Sequence, residues 1–294
     1  MAKLTIVVNC TERKSQAPSP ELCVRSLPAG TSEKRFATWR QRVEEAAPSA
    51  VLYDLYQGEA WQQAKGLATD ATDLGFTVKL LVASAGLGLR EALSKGPAYA
   101  ATFATGHPDT VAPSGIASRT WWKSLANLDA ANSLVETTDD RVLLVLSDSY
   151  ARAMDDDLTA LASRGGDLLL VGGARDVEGM PRLPADASLR RALGGTSSSV
   201  SLRMARRWLA KRSTTDLYCP HDAAKWTRWA KSVSHTEHFD RRPVRDSEVR
   251  RLIRKMKSRD PSLSATRALR EIRDSGRACE QKRFGQLFRT TTAR

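Results

Sequence analysis

Two rhythms of apolar residues alternate over the first 175 positions. Residues 4–8, 78–83, 142–146 and 168–171 are short, nearly unbroken apolar runs rich in Val, Ile and Leu. Such runs are expected for strands covered on both faces. Residues 50–53 form a weaker strand candidate. Between the runs, residues 59–74 carry Trp61, Ala64, Leu67, Ala68 and Ala71 along one side of a helix, and Gly75 fits its stop. A further helix is expected over 150–163, followed by Gly165-Gly166 and the strand at 168–171. Strands joined by helices in this way predict an α/β fold, with a mostly parallel, twisted sheet and helices on both faces.

The pattern changes after residue 175. Residues 176–199 are rich in Pro, Gly, Ala and Ser, and 194–199 read as a linker ending in a helix cap. A basic helix is expected at 202–212, no clear period at 213–245, and helices at 247–257, 264–273 and 277–288. Asp260-Pro261 and Asp274-Ser275-Gly276 separate the last three. A three-residue turn between the final pair matches a helix-turn-helix over 246–289. Arg277, Gln281, Lys282 and Arg289 would then lie where base and phosphate contacts occur. A plain helical hairpin is the alternative. The expected division is an α/β domain at 1–195 and a basic, all-helical region at 196–294.

Charge sharpens this division. The chain carries a net +13, but residues 1–199 hold 21 Lys/Arg against 23 Asp/Glu, and residues 200–294 hold 25 against 10. Excess charge of one sign repels itself, so a polyanion such as tRNA or DNA is the expected partner of the last third. No apolar run reaches the roughly 18–20 residues of a membrane helix, which argues against a membrane partner. The N-terminus lacks the pattern of a secretory leader, which points to the cytoplasm. The four cysteines form no C-x-x-C pair, so reduced thiols are expected. Cys219, His221, His235 and His238 include metal-ligating types, but their spacing matches no common zinc module, and surface histidines are the plainer reading.

In parallel sheets, ligands gather at the carboxyl ends of the strands. Here those ends carry Cys10-Thr11-Glu12-Arg13-Lys14, Ser84-Ala85-Gly86-Leu87-Gly88, Ser147-Asp148 and Gly172-Gly173. Cys10 and Lys14 are nucleophile candidates, because cations depress a thiol pKa and desolvation beside Arg13 can leave an amine unprotonated. Asp54 is a candidate acid contacting a base or ribose, and Tyr56 a candidate stacking residue. Ser84, Gly86 and Gly88 suggest a weak phosphate or base cradle, since glycine lets backbone approach a ligand. Tyr99 would wall the crevice, and Ser147 and Asp148 would border it. These residues name no cofactor.

Cys-Thr-x-x-Lys after the first strand, Asp-Leu-Tyr at 54–56, and Ser-Ala-Gly-Leu-Gly followed by Pro97-Ala98-Tyr99 form a recognisable set. Over residues 3–105 the chain resembles an uncharacterised bacterial family related to the core domain of archaeosine synthase, which acts on 7-deazaguanine bases linked to tRNA-guanine transglycosylases. That enzyme's signature is P-C-x-x-x-K-P-Y, and its lysine adds to a base nitrile. Cys10 and Lys14 keep the C-x-x-x-K spacing, Asn9 stands for the proline, and Ser15-Gln16 for Pro-Tyr. The resemblance implies a transferase acting on a nucleobase or glycosidic bond in tRNA or DNA, partnered with base-modification or phage-defence proteins. The alternative is a non-catalytic DNA-binding regulator whose α/β domain senses a nucleotide.

Overall fold

Six strands build the sheet that positions everything else: β1 (Ala2–Asn9), β2 (Phe76–Ser84), β3 (Gly88–Glu91), β4 (Arg141–Leu146), β5 (Asp167–Gly172) and β6 (Arg182–Leu183). The structure is a computed structural model that describes residues 2–235 and 242–292, without the Lys282 side chain. Strand order is β3-β2-β1-β4-β5-β6, and every neighbouring pair is parallel except β2–β3. The apolar runs explain the centre of this order. Leu4, Ile6, Val7 and Val8 are buried, as are Leu143 and Leu144 on β4 and Leu169 and Leu170 on β5. The edges are short, with four residues in β3 and two in β6.

Helices cover both faces of the sheet. The long ones in the first part are α1 (Ser32–Glu45), α2 (Glu59–Asp73), α3 (Gly115–Leu125), α4 (Asp148–Ala153), α5 (Asp155–Arg164), α6 (Val200–Lys211) and α7 (Pro220–Val233). The expected helix at 150–163 is thus two helices, broken at Met154. The weak strand at 50–53 stays out of the sheet. Ala50–Val51 pairs only with Lys95–Gly96, and Leu52–Leu55 is a single helical turn. Chain order places β2 on one side of β1 and β4 on the other. The strand sequence therefore reverses between β1 and β4, and a crevice is expected beyond their carboxyl ends.

The expected domain boundary moves. Two compact units form, Met1–His235 and Thr236–Arg294, so the break falls well after 195. Val200, Leu202, Met204, Trp208 and Leu209 of α6 are buried in the same core as the sheet. Arg206 clamps Asp70 of α2 through hydrogen bonds of 2.7 and 3.1 Å, and Arg203 holds Glu59 at 2.8 Å. Residues 194–199 are a bend within one unit rather than a linker. The basic excess is therefore shared: residues 200–235 hold 8 Lys/Arg against 2 Asp/Glu, and residues 236–294 hold 17 against 8.

The second unit contains α8 (Asp246–Arg259), α9 (Ala265–Asp274) and α10 (Gln281–Thr292) around Val249, Ile253, Leu269, Ile272, Phe284 and Leu287. The helix expected from 277 starts instead at Gln281. Arg277–Ala278 is extended and pairs in parallel with Arg242–Pro243. Six residues, 275–280, therefore join the last two helices, and the three-residue turn of a helix-turn-helix is not formed. Gly276, at φ +75°, turns the chain out of α9.

A chain cut at residue 199 loses five large buried side chains of α6. At about 1.5–3 kcal/mol each, that is on the order of 10 kcal/mol, comparable to the whole net stability of a domain. Residues 1–199 alone should therefore aggregate, while residues 1–235 should give a cooperative thermal transition. Size-exclusion chromatography and circular dichroism of the two fragments check this, and a folded monomer of 1–199 would contradict it.

Candidate functional site

The site grows from the end of β1. That strand offers no polar side chain to either face near its end until Asn9, whose side chain accepts a hydrogen bond from the Ser147 amide at 3.4 Å. Cys10 comes next, and its amide donates to the Ala83 carbonyl at 2.8 Å, extending the β1–β2 pairing by one residue. Across the switch point, α4 begins at Asp148 and delivers Tyr150, whose hydroxyl lies 3.0 Å from the Cys10 sulfur.

Lys14 sits at an isolated bridge to Tyr56, so the loop after β1 folds back along the Leu52–Leu55 turn. Its Nζ lies 4.2 Å from the centre of the Tyr99 ring and donates to the carbonyls of Thr11 (3.1 Å) and Glu12 (3.4 Å). Burial pushes the amine below the usual lysine range, while Cys10, Glu12, Asp109 and Cys23 pull it back up.

Behind Lys14 lies a closed polar chain. The Tyr56 and Tyr99 hydroxyls are 2.9 Å apart, and Tyr99 lies 2.5 Å from Ser84 Oγ. Burial, and then the nearby Cys10, raise the hydroxyl pKa values of Tyr99 and Tyr150, and the same two causes raise that of Tyr56. All three remain neutral hydroxyls at ordinary pH. In front of Lys14 a cleft of about 360 Å³ is lined by Glu12, Arg25, Tyr99, Thr102, His107 and Asp109 among others. His107 Nε2 and Glu12 Oε1 are 2.9 Å apart, and buried Asp109 pairs with Arg25 at 3.3 Å.

The structure brings Cys10, Lys14, Tyr56, Ser84 and Tyr99 together and overturns several assignments. The 84–88 turn is no open cradle, because every residue in it is buried. Ser84 Oγ accepts from the Gly86 and Leu87 amides, at 3.2 and 2.9 Å. The indoles of Trp39 and Trp121 donate to the Gly86 and Ala85 carbonyls, at 2.8 and 2.9 Å. Gly86 is required by the Tyr99 ring, which a Cβ there would meet at 2.5 Å, and Gly88 is favoured by its φ of +73°. Tyr56 is fully buried against Trp61, so its ring is not free to stack on a ligand. Asp54 and Arg13 are exposed and do not line the cleft. Ser147 and Asp148 are exposed at the carboxyl end of β4, beside Asn9.

Other groups were not foreseen. Arg25, His107 and Asp109 lie in stretches without period or motif, and only the fold carries them to Lys14. In the second unit, Arg277 is tied to Glu248 (3.2 Å) and Ser275 (2.8 Å), while Gln281 and Arg289 are exposed on α10. Cys219 caps α7, accepting from the Asp222 amide at 3.4 Å, and His238 lies outside the described residues. No family model, curated protein or solved structure matches the chain.

The Lys14 environment has a chemical signature. Its amine should react with an acylating reagent at a midpoint pH below the ordinary lysine value of about 10.4. Glu12→Gln removes a charge that favours the ammonium, so the midpoint should fall further. Mass spectrometry of the labelled peptide across a pH series measures both, and a midpoint at or above the ordinary value would refute the assignment.

Proposed function

We propose that the first unit is an enzyme that modifies a nucleobase, with Lys14 as its amine nucleophile and the Cys10–Tyr150 pair as the adjoining proton source. One observation carries this reading: a lysine held below its usual pKa stands on the loop that leaves the carboxyl end of β1, at the wall of a cleft of heterocycle size. An unprotonated amine adds to an electron-poor carbon such as a nitrile. A C–N bond forms, the nitrile π pair moves to nitrogen, and one amine proton reaches that nitrogen to leave an amidine. The Cys10–Tyr150 contact supports assigning that pair the proton transfer. Glu12, His107 and Asp109 offer both donors and acceptors to the edges of a heterocycle.

The resemblance to archaeosine synthase supports a 7-deazaguanine-type base or a related base exchange, and the basic last third supports tRNA or DNA as the polymer that carries it. A role in defence against phage, alongside other base-modifying proteins, rests on that resemblance alone.

Nucleosides from tRNA and DNA of cells with and without the protein, resolved by mass spectrometry, test the proposal. A modified nucleoside should depend on the protein and disappear with Lys14→Ala. Because Lys14 is half-buried and donates to two carbonyls, the thermal transition of that variant is measured alongside, and loss of modification with the cooperative transition retained is the expected result. Identical nucleoside profiles, or wild-type modification by Lys14→Ala, would overturn it.

A further inference from the structure

The seven tryptophans all lie in the first unit, and five of them are buried. Trp226 and Trp229 of α7 are the half-exposed pair. Among the described residues, α7 fully buries only Asp222; Ala223, Trp226, Trp229, Ala230 and Val233 pack partly buried against the core, so the two indoles keep part of their surface open. Trp226 and Trp229 meet at 4.9 Å between ring centres, and Trp208 of α6 lies 5.8 Å from Trp226. Together they floor a groove of about 320 Å³ between α6 and α7.

The rim of the groove is cationic. The Arg207 guanidinium stands 3.8 Å over the Trp229 ring, and Lys211 and Lys225 flank it. Among the described residues, no carboxylate lies in salt-bridge contact with Lys211, Lys225, Arg228 or Lys231, although the Lys225 charge helps the Ser213 amide hold the Asp222 carboxyl below its usual range. The acid that does line the groove, Asp222, is buried and bound to the Ser213 amide (2.7 Å) and hydroxyl (2.8 Å). The groove lies at the amino end of the strands. Trp208 donates to the Leu217 carbonyl (2.7 Å), and the Leu217 amide donates to Asp167, the first residue of β5 (2.8 Å). Lys14 stands at the opposite, carboxyl end, so this is a separate place on the unit.

We infer that this groove is a seat for single-stranded nucleic acid, with bases stacked on Trp226 and Trp229 and phosphates held by Lys211 and Lys225. Aromatic platforms edged by unpaired cations bind single strands because every base presents a π face. A duplex has already used those faces in its own stacking. An acidic peptide satisfies the lysines but not the rings. The inference does not rest on the nucleobase chemistry assigned to Lys14.

The tryptophans provide their own readout. The second unit contains none, so all tryptophan emission comes from the first unit. Titrating the full chain with a 20-nucleotide oligothymidylate should quench that emission, and polyglutamate at the same ionic strength should not. Trp229→Ala should weaken the quenching titration roughly tenfold or more, with Trp226 still reporting. Lys211→Gln with Lys225→Gln, both on exposed side chains, should leave the fold intact and flatten the salt dependence. Absence of quenching, equal quenching by duplex or polyglutamate, or unchanged affinity in both variants would overturn the inference.

Discussion

A strand buried on both faces and paired on both edges has no place for a reactive side chain along its length. β1 is such a strand: Ile6, Val7 and Val8 are enclosed between β2 and β4. Its one buried polar side chain, Thr5, donates to Asp139 at 3.1 Å and accepts from the Asp139 amide at 3.2 Å. Reactive groups must therefore collect where the strand runs out. β4 is under the same constraint, and the two strands run out side by side. Cys10 comes from one and Tyr150 from the first turn of the helix after the other, which is why residues 140 positions apart meet at 3.0 Å. Lys14 is then delivered by a loop that turns back over the Tyr99 ring.

The parts of this arrangement that were legible in the sequence are those set by continuous burial. The runs at 4–8, 78–83, 142–146 and 168–171 are all strands of the sheet. The features that stayed hidden depend on partners far along the chain. Helix α1 buries only Phe36 and Trp39, so its apolar period is too sparse to stand out. Helix α7 buries no apolar residue fully, and its stripe of Ala223, Trp226, Ala230 and Val233 is diluted by the charged residues between them. Residues 277–279 fit the helical spacing of residues 281–288, yet they are extended because Arg242–Pro243 pairs with them, which no local period reveals. In the site, Cys10 and Lys14 were visible from their place after a buried strand. His107 and Asp109 were not, because nothing near them in the chain marks a site. The glycines of 84–88 were visible but misread, since glycine admits a packed tyrosine ring as readily as a phosphate.

Charge alone misplaced the domain boundary for a related reason. Basic side chains on α6 serve two ends. Arg203 and Arg206 bind Glu59 and Asp70 of α2 and so hold the helix to the first unit. Arg207 and Lys211, a few residues on, border the open groove. A net count adds these together, although the first pair is internal structure and the second is surface. Burial of α6 in the sheet's core, not its sign of charge, decides which unit it joins.

The brevity of β3 and β6 has a further consequence. Long bare strand edges invite another chain to continue the sheet. One edge here ends in four residues turned back by a tight loop, and the other in two. Few main-chain donors and acceptors are left for a newcomer to read. Growth of this sheet by addition of a strand from another copy is thereby disfavoured at both of its edges.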